Sequence, residues 1–397
     1  MSMLGDFSAL FKSQPTSRTA APTLDAKLLL VGIALVGFGL LMVYSASIAL
    51  ADGPRYANYG RYYFVIRHTA FVTIGLVGAL FVASVPMQVW RKLALPIFII
   101  SLLLLLLVLI PGVGRTVNGA RRWLPLGPIN FQPSELMKVA MILFVAYYIE
   151  RKQAYMGTFL RGLAPIVLSL GVVAGLIIME PDLGAVIVIV AIAIGLLFIG
   201  GMNKKYITGL IVLMCALFLM MVWVSPWRVQ RFLVYLDPWN PDNAYGSAYQ
   251  LSHSLIALGR GEWFGVGIGS SVEKLHYLPE AHTDFIVAVI GEELGFFGVA
   301  LLILAFVFVV HRAFQIAHQA IANERLFSAL VAHGVGIWFA IQTFINIGVC
   351  FGLLPTKGLT LPLVSYGGTG VVMNLAAFAM LLRVDFENRS MMVGRRV

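Results

Sequence analysis

Charged residues are scarce in this chain: Asp, Glu, Lys and Arg make up 12% of its 397 residues, where a soluble domain carries roughly 25%. With 60% hydrophobic residues, that shortage excludes a water-soluble globular protein. Cysteine is nearly absent. Cys215 and Cys350 both lie inside apolar runs, so there is no disulfide framework and no thiolate metal cluster. The first 26 residues lack the ordered charged, apolar and small-residue regions of a cleavable signal peptide. The glycines at 261, 265, 267 and 269 follow no strand and fit neither a P-loop nor a dinucleotide fingerprint. Tight turns explain them, and no nucleotide is expected.

What the chain has is long apolar runs. About ten of them, between residues 28 and 383, are long enough to cross ~30 Å of hydrocarbon as helix. The expected fold class is all-α, a polytopic membrane protein of about ten transmembrane helices. Short basic turns at Arg91-Lys92, Arg151-Lys152, Lys204-Lys205 and Arg312 place both termini in the cytoplasm under the positive-inside rule. The net charge of +10 then sits on the inner face, which accounts for the basic balance without a nucleic-acid partner. This divides the chain into a cytoplasmic tail at 1–26, a transmembrane unit at 27–383 and a second cytoplasmic tail at 384–397. One large extracytoplasmic loop, 225–283, and a shorter one near 111–133 face outward. A loop as long as the first is usually functional.

Asp284 stands in "YLPEAHTDFIVAVIGEELG". A single helix from Asp284 to His311 would be ~42 Å long and overshoot the membrane core, so it must break or protrude, and the reading is a break with the span starting about Gly295. A short interfacial helix holding Glu292 and Glu293 would precede the break. Asp284 reads either as a helix N-cap or as a general base, whose proton affinity rises as a half-buried carboxylate loses solvation. Arg115, Arg121 and Arg122 lie on the side where the positive-inside rule disfavours them, and they call for a lipid headgroup or a phosphate-bearing ligand. Pro133 suits the first position of the fourth span, and Glu135 and Lys138 then share one face. An isolated charge at that depth costs ~2.5–3.5 kcal/mol, so the two are expected to pair. "EPDLG" at 180–184 reads as a tight turn capped by Asp182. Gln342 and Asn346, four apart in a span, read as interhelical glue worth ~1 kcal/mol.

Together "GARRWL", "QPSELMK", "EPDLG", "GRGEWFGVGIGSSVEKLHYLPEAHTDFIVAVIGEELG" and "LPTKGLTLPLVSYGGTG" resemble the SEDS family of shape, elongation, division and sporulation proteins, over Asp25 to Arg383. "LPTKGLTLP" is closer to its division branch. The resemblance implies a peptidoglycan glycosyltransferase of the bacterial cytoplasmic membrane. Such an enzyme polymerises lipid II on the outer face at the division septum, with undecaprenyl pyrophosphate leaving. It implies a catalytic role for Asp284 and substrate-binding roles for Arg67, Glu135 and Lys138. Arg121, Arg122, His282 of "HTDF", Lys357 and Ser365 are further candidates. A divalent cation, Mg²⁺ or Mn²⁺, held by Asp284 or Glu135 with substrate phosphates, is expected. The expected partners are a class B penicillin-binding protein acting as septal transpeptidase and other division regulators. The chain departs from the family wording at Val287, Glu273 and Gly370; the last replaces a usual Ser and leaves Ser365 as the hydroxyl candidate. A transporter of lipid-linked precursors and a non-catalytic scaffold are the rival readings. No internal repeat supports the first, and a dispensable Asp284 would mark the second.

Overall fold

The computed structural model describes residues 24–394 other than 53–58, 118, 128, 225–228, 230–234, 241–242, 244–245, 247 and 356–357. Lys357, most of the N-terminal tail and part of the large loop thus lie outside the described residues. The helices are α1 (Ala26–Ser47), α2 (Tyr63–Ser84), α3 (Met87–Leu109), α4 (Pro133–Lys152), α5 (Ala164–Met179), α6 (Leu183–Ile199) and α7 (Lys204–Trp223), followed by α8 (Tyr249–Gly261), α9 (Ile286–Ala322), α10 (Leu326–Cys350) and α11 (Thr369–Met392). Apart from α8, ten helices fall where the apolar runs lie. Among the described residues seven are long and apolar enough to cross a membrane: α1, α2, α3, α5 with its preceding turn, α9, α10 and α11. α6 is shorter, at 17 residues, and α4 carries Glu135 and Lys138.

The centre of the bundle is α10, which packs against α4, α6, α9 and α11 and buries Trp338 and Phe339 completely. On α2, α3 and α9 large apolar side chains such as Leu80, Phe81, Leu103 and Leu301 face outward, as expected of helices that meet lipid. The all-helical expectation needs one addition. After α3 the chain folds into a small antiparallel sheet of β1 (Arg115–Val117), β2 (Ala120–Leu126) and β3 (Ile129–Phe131), in the order β1-β2-β3. Pro133 then opens α4 at its first turn, where the missing N–H costs nothing.

At 37 residues α9 would be ~55 Å long if straight, and it is broken at Gly295, whose φ of 65° and ψ of −163° are closed to other residues. The break orphans backbone groups on both sides. The glycine-rich stretch after α8 satisfies them: Val266 N–H donates to Glu292 O (2.9 Å), Gly267 N–H to Glu293 O (3.0 Å), and Phe296 N–H to Glu262 O (2.9 Å). A Cβ on Gly265 would lie 2.2 Å from Glu293 O. These glycines therefore serve a close backbone approach as well as turns.

Glu292 and Glu293 are fully buried and occupied in docking the segment between α8 and α9 on α9. Glu292 accepts from Arg260 Nη1 (2.9 Å) and Val272 N–H (2.9 Å). Glu293 accepts from Lys274 Nζ (2.7 Å) and from Ser45 Oγ of α1 (2.6 Å). Removing one member of a buried pair strands the other charge, so Lys274→Ala is expected to cost about 3–5 kcal/mol. Thermal unfolding in detergent would show this as a lowered midpoint.

At the opposite end of the bundle, Asp25 caps α1 through Lys27 N–H (3.1 Å) and pairs with Arg312 of α9. Burial raises the Asp25 pKa, but the Arg312 hydrogen bond and charge outweigh it and leave the net shift downward. Residues 384–392, expected to begin a tail, continue α11. Glu387 accepts from Met87 N–H at the start of α3 (2.9 Å) and pairs with Arg383 and Arg325. Asn388 Nδ2 donates to Ile316 O (3.0 Å). The polar residues that suggest a membrane exit in sequence are here buried against the ends of other helices.

Candidate active site

At the sheet end of the bundle lies a cavity of about 600 Å³, open on one side and lined by α2, β2, the start of α4, the α5–α6 turn, the loop before α9 and the α10–α11 loop. Asp284 lies in its wall. It is not the N-cap of α9: Phe285 holds that position, and no side chain caps the helix. What anchors Asp284 is its own carbonyl, which accepts from Asn346 Nδ2 (2.8 Å). Its carboxylate faces the α10–α11 loop so closely that a Cβ on Gly358 would lie 2.8 Å from Oδ2. Burial lifts the Asp284 pKa to about 7; Glu280 and Asp182 add to the rise and Arg122 opposes it.

Two arginines open into the same cavity. Arg67 of α2 donates to Tyr63 Oη (2.6 Å) and its guanidinium lies 6.0 Å from the Phe71 ring centre. Arg122 Nε donates to Glu180 O (2.9 Å), with a further bond to Pro181 O, and its charge stands 3.9 Å from Asp182. Glu180 itself is fully buried, and burial together with Asp182 pushes its pKa to about 9 against the pull of Arg122. Its neutral carboxyl adds no second negative charge beside Arg122. His282 packs between the rings of Phe64 (4.9 Å) and Tyr366 (5.4 Å). Burial lowers its pKa to about 4 against the pull of Glu280, so the imidazole is neutral.

The other expected site residues are placed differently. Adjacent residues of a strand point to opposite faces, so Arg121 turns away from Arg122 and from the cavity lining, and donates to Leu109 O (3.0 Å). Lys138 is completely buried behind Glu135: its Nζ donates to Glu135 Oε1 (2.7 Å) and Gln342 Oε1 (3.1 Å), and Glu135 alone of the pair reaches the cavity. The second oxygen of Glu135 has no partner among the described residues, and the Cβ that Gly370 lacks would lie 3.4 Å from it. Ser365 is buried off the cavity, where its Oγ accepts from Leu361 N–H (2.8 Å) and holds a turn. Lys357 lies outside the described residues. Among them, no three His, Cys, Asp or Glu side chains converge as metal ligands.

Two acidic residues of the cavity have no site role in the sequence reading. Asp182 does cap α6 through Ala185 N–H (3.3 Å), but its other oxygen accepts from Gln132 Nε2 (3.1 Å) and Ser134 Oγ (3.2 Å), and it lines the cavity. Glu280 is held at a φ of 57° and accepts from Thr283 Oγ1 (2.9 Å). That conformation is uncommon outside glycine and tends to occur at functional sites.

The chain is similar to known proteins over nearly its whole length. Probable peptidoglycan glycosyltransferases FtsW of Burkholderia thailandensis and Nitrosomonas europaea are 54% and 46% identical to it; the first match covers 99% of this chain and 85% of the relative, the second 95% and 96%. A chain of a solved peptidoglycan synthase complex superposes with a TM-score of 0.73 at 29% identity, and the rod shape determining protein RodA of Thermus thermophilus with 0.66 at 28%. Each covers 92% of this chain and 98% of its own. Residues 26–390 match the FtsW, RodA and SpoVE family of cell cycle proteins, the SEDS proteins that the motifs resemble, and the chain belongs to that family.

Proposed function

We propose that this protein is a peptidoglycan glycosyltransferase that polymerises lipid II into β-1,4 glycan strands at the periplasmic face of the bacterial cytoplasmic membrane, during septal wall synthesis. The observation that carries this reading is the Asp284 carboxylate. No helix cap engages it, its proton affinity is raised by burial, and it opens into the same cavity as Arg67 and Arg122. Asp284 takes the proton from the acceptor's GlcNAc 4-hydroxyl as that oxygen attacks C1 of the donor's MurNAc. One displacement inverts the α-linked donor to a β bond and expels undecaprenyl pyrophosphate. Arg122 and Arg67 receive the charge that develops on the diphosphate; guanidinium forks suit phosphate oxygens in two-point contact. His282, neutral and wedged between aromatic rings, shapes the wall rather than carrying charge.

A divalent cation would be held by Asp284 or by the unpartnered oxygen of Glu135, with substrate phosphates and water completing its shell, and would neutralise the leaving group. No nucleotide is needed, because the donor arrives activated. The working unit includes a class B penicillin-binding protein that crosslinks the strands. Purified protein supplied with lipid II, with and without that transpeptidase, tests the reading. Glycan strands support it, lipid movement across the bilayer without polymer supports a transporter, and neither supports a scaffold.

A further inference from the structure

We infer that Asn346 of α10 is a positioning residue for Asp284, fixing the two stretches of backbone between which the catalytic carboxylate lies. The inference rests on the functional reading above. Asn346 is 1% exposed, and its amide nitrogen serves two acceptors: Asp284 O at 2.8 Å and Leu359 O at 2.6 Å. The first bond holds the residue that bears the carboxylate. The second holds the residue after Gly358, whose Cα faces the Asp284 oxygens at the contact where no Cβ fits. One NH₂ group therefore sets the gap between the base and the opposite wall.

The chemistry of the side chain fits this task. Among uncharged side chains of this length only an Asn offers two hydrogens on one atom; Ser has one, and an ionised Asp has none. Its Oδ1 has no partner among the described residues, so the donors are the part in use. Interhelical glue, the reading that the sequence suggests, would bond another helix. Both bonds here end on loop carbonyls instead. One turn earlier Gln342 repeats the arrangement: Nε2 donates to Thr360 O (2.7 Å), and Oε1 accepts from Lys138 Nζ and from Trp338 Nε1 (2.6 Å). The buried face of α10 thus spaces the α10–α11 loop, the Glu135–Lys138 pair and Asp284 from one side.

The consequence is kinetic. A reacting group displaced by ~1 Å can lose ~10²-fold in rate while substrate still binds. The charged and titratable groups around Asp284 are Glu280 and His282 on its own loop, Asp182 on the α5–α6 turn, Arg122 on β2, Glu135 on α4, Arg67 on α2 and the Cys350 thiol on α10, 3.6 Å from Asp284 O.

The test uses the full chain with its transpeptidase and lipid II in detergent micelles. Asn346→Leu is expected to lower kcat by about 10–100-fold, with KM within about threefold. Asn346→Ser, which keeps one hydrogen, should fall between. Adding Gly358→Ala to Asn346→Leu should cost little more than the worse single change, because both displace one group. The inference is overturned if kcat falls only as far as the folded fraction in thermal melts, if KM rises in step with the loss of kcat, or if the two substitutions multiply. Should Asn346→Leu not fold, the kcat and KM of Asn346→Ser decide in the same way. If wild type makes no polymer the functional reading fails and this inference with it, whereas active wild type with Asn346 variants of unchanged kcat sinks the inference alone.

Discussion

Asp284→Asn is expected to lower lipid II polymerisation by about 10²–10⁴-fold, the usual contribution of a general base. The amide matches the carboxyl in size but cannot take the acceptor's proton. Folding should be untouched for two reasons. Asp284 caps no helix, so no cap is lost, and the carbonyl that anchors it to Asn346 remains. Removing the charge also ends its repulsion with Glu280 and Asp182, the groups that raise its pKa beside the larger effect of burial. A gel of glycan strands beside a thermal melt separates the outcomes. Loss of strands with an unchanged melt is the expected result. Equal strand formation would return Asp284 to a structural role.

Gly358→Ala is expected to cost about 10²-fold in kcat, through misplacement of the reacting group. The added methyl carbon would stand 2.8 Å from Asp284 Oδ2, closer than carbon and oxygen approach without a bond. Gly358 does not use the left-handed backbone region, so alanine brings no backbone strain of its own. The short Asp284 side chain is the part that must turn, away from the acceptor's path. Global stability should change by about 1 kcal/mol or less, since the strain resolves into the cavity. Steady-state kinetics with a parallel melt checks both halves of the expectation.

Features set by length and spacing were legible in the sequence. The apolar runs mark helices, seven of them among the described residues long and apolar enough to cross a membrane, and a helix too long for the membrane points to the break at Gly295. The spacing of Glu135 and Lys138 predicts their pairing. What sequence could not show is which distant segment lies opposite a given residue. Asp182 is a helix cap as read, yet only the fold brings Gln132 and Ser134 to its other oxygen and its charge to the cavity of Asp284. The glycines at 261–269 look like turn residues, because nothing local reveals the Glu292 and Glu293 carbonyls that they approach. Arg121 and Arg122 look alike until a strand sets them on opposite faces, and strands of three residues, such as the β1 that pairs with theirs, carry no periodic signal. The end of α11 misleads for a related reason. Asp385 and Glu387 have the composition of a solvated tail and are instead buried among arginines.

The central claim is that an acid of raised proton affinity acts as the base, and the pH dependence of kcat at saturating lipid II tests it most directly. A base must be unprotonated, so the rate should fall as pH drops through about 7, with a unit slope below that midpoint. Asp182→Asn keeps an equally good helix cap but removes one of the charges that raise Asp284, and should move the midpoint to lower pH. A rate that stays level from pH 8 down to the ordinary carboxylate range in wild type would contradict the account.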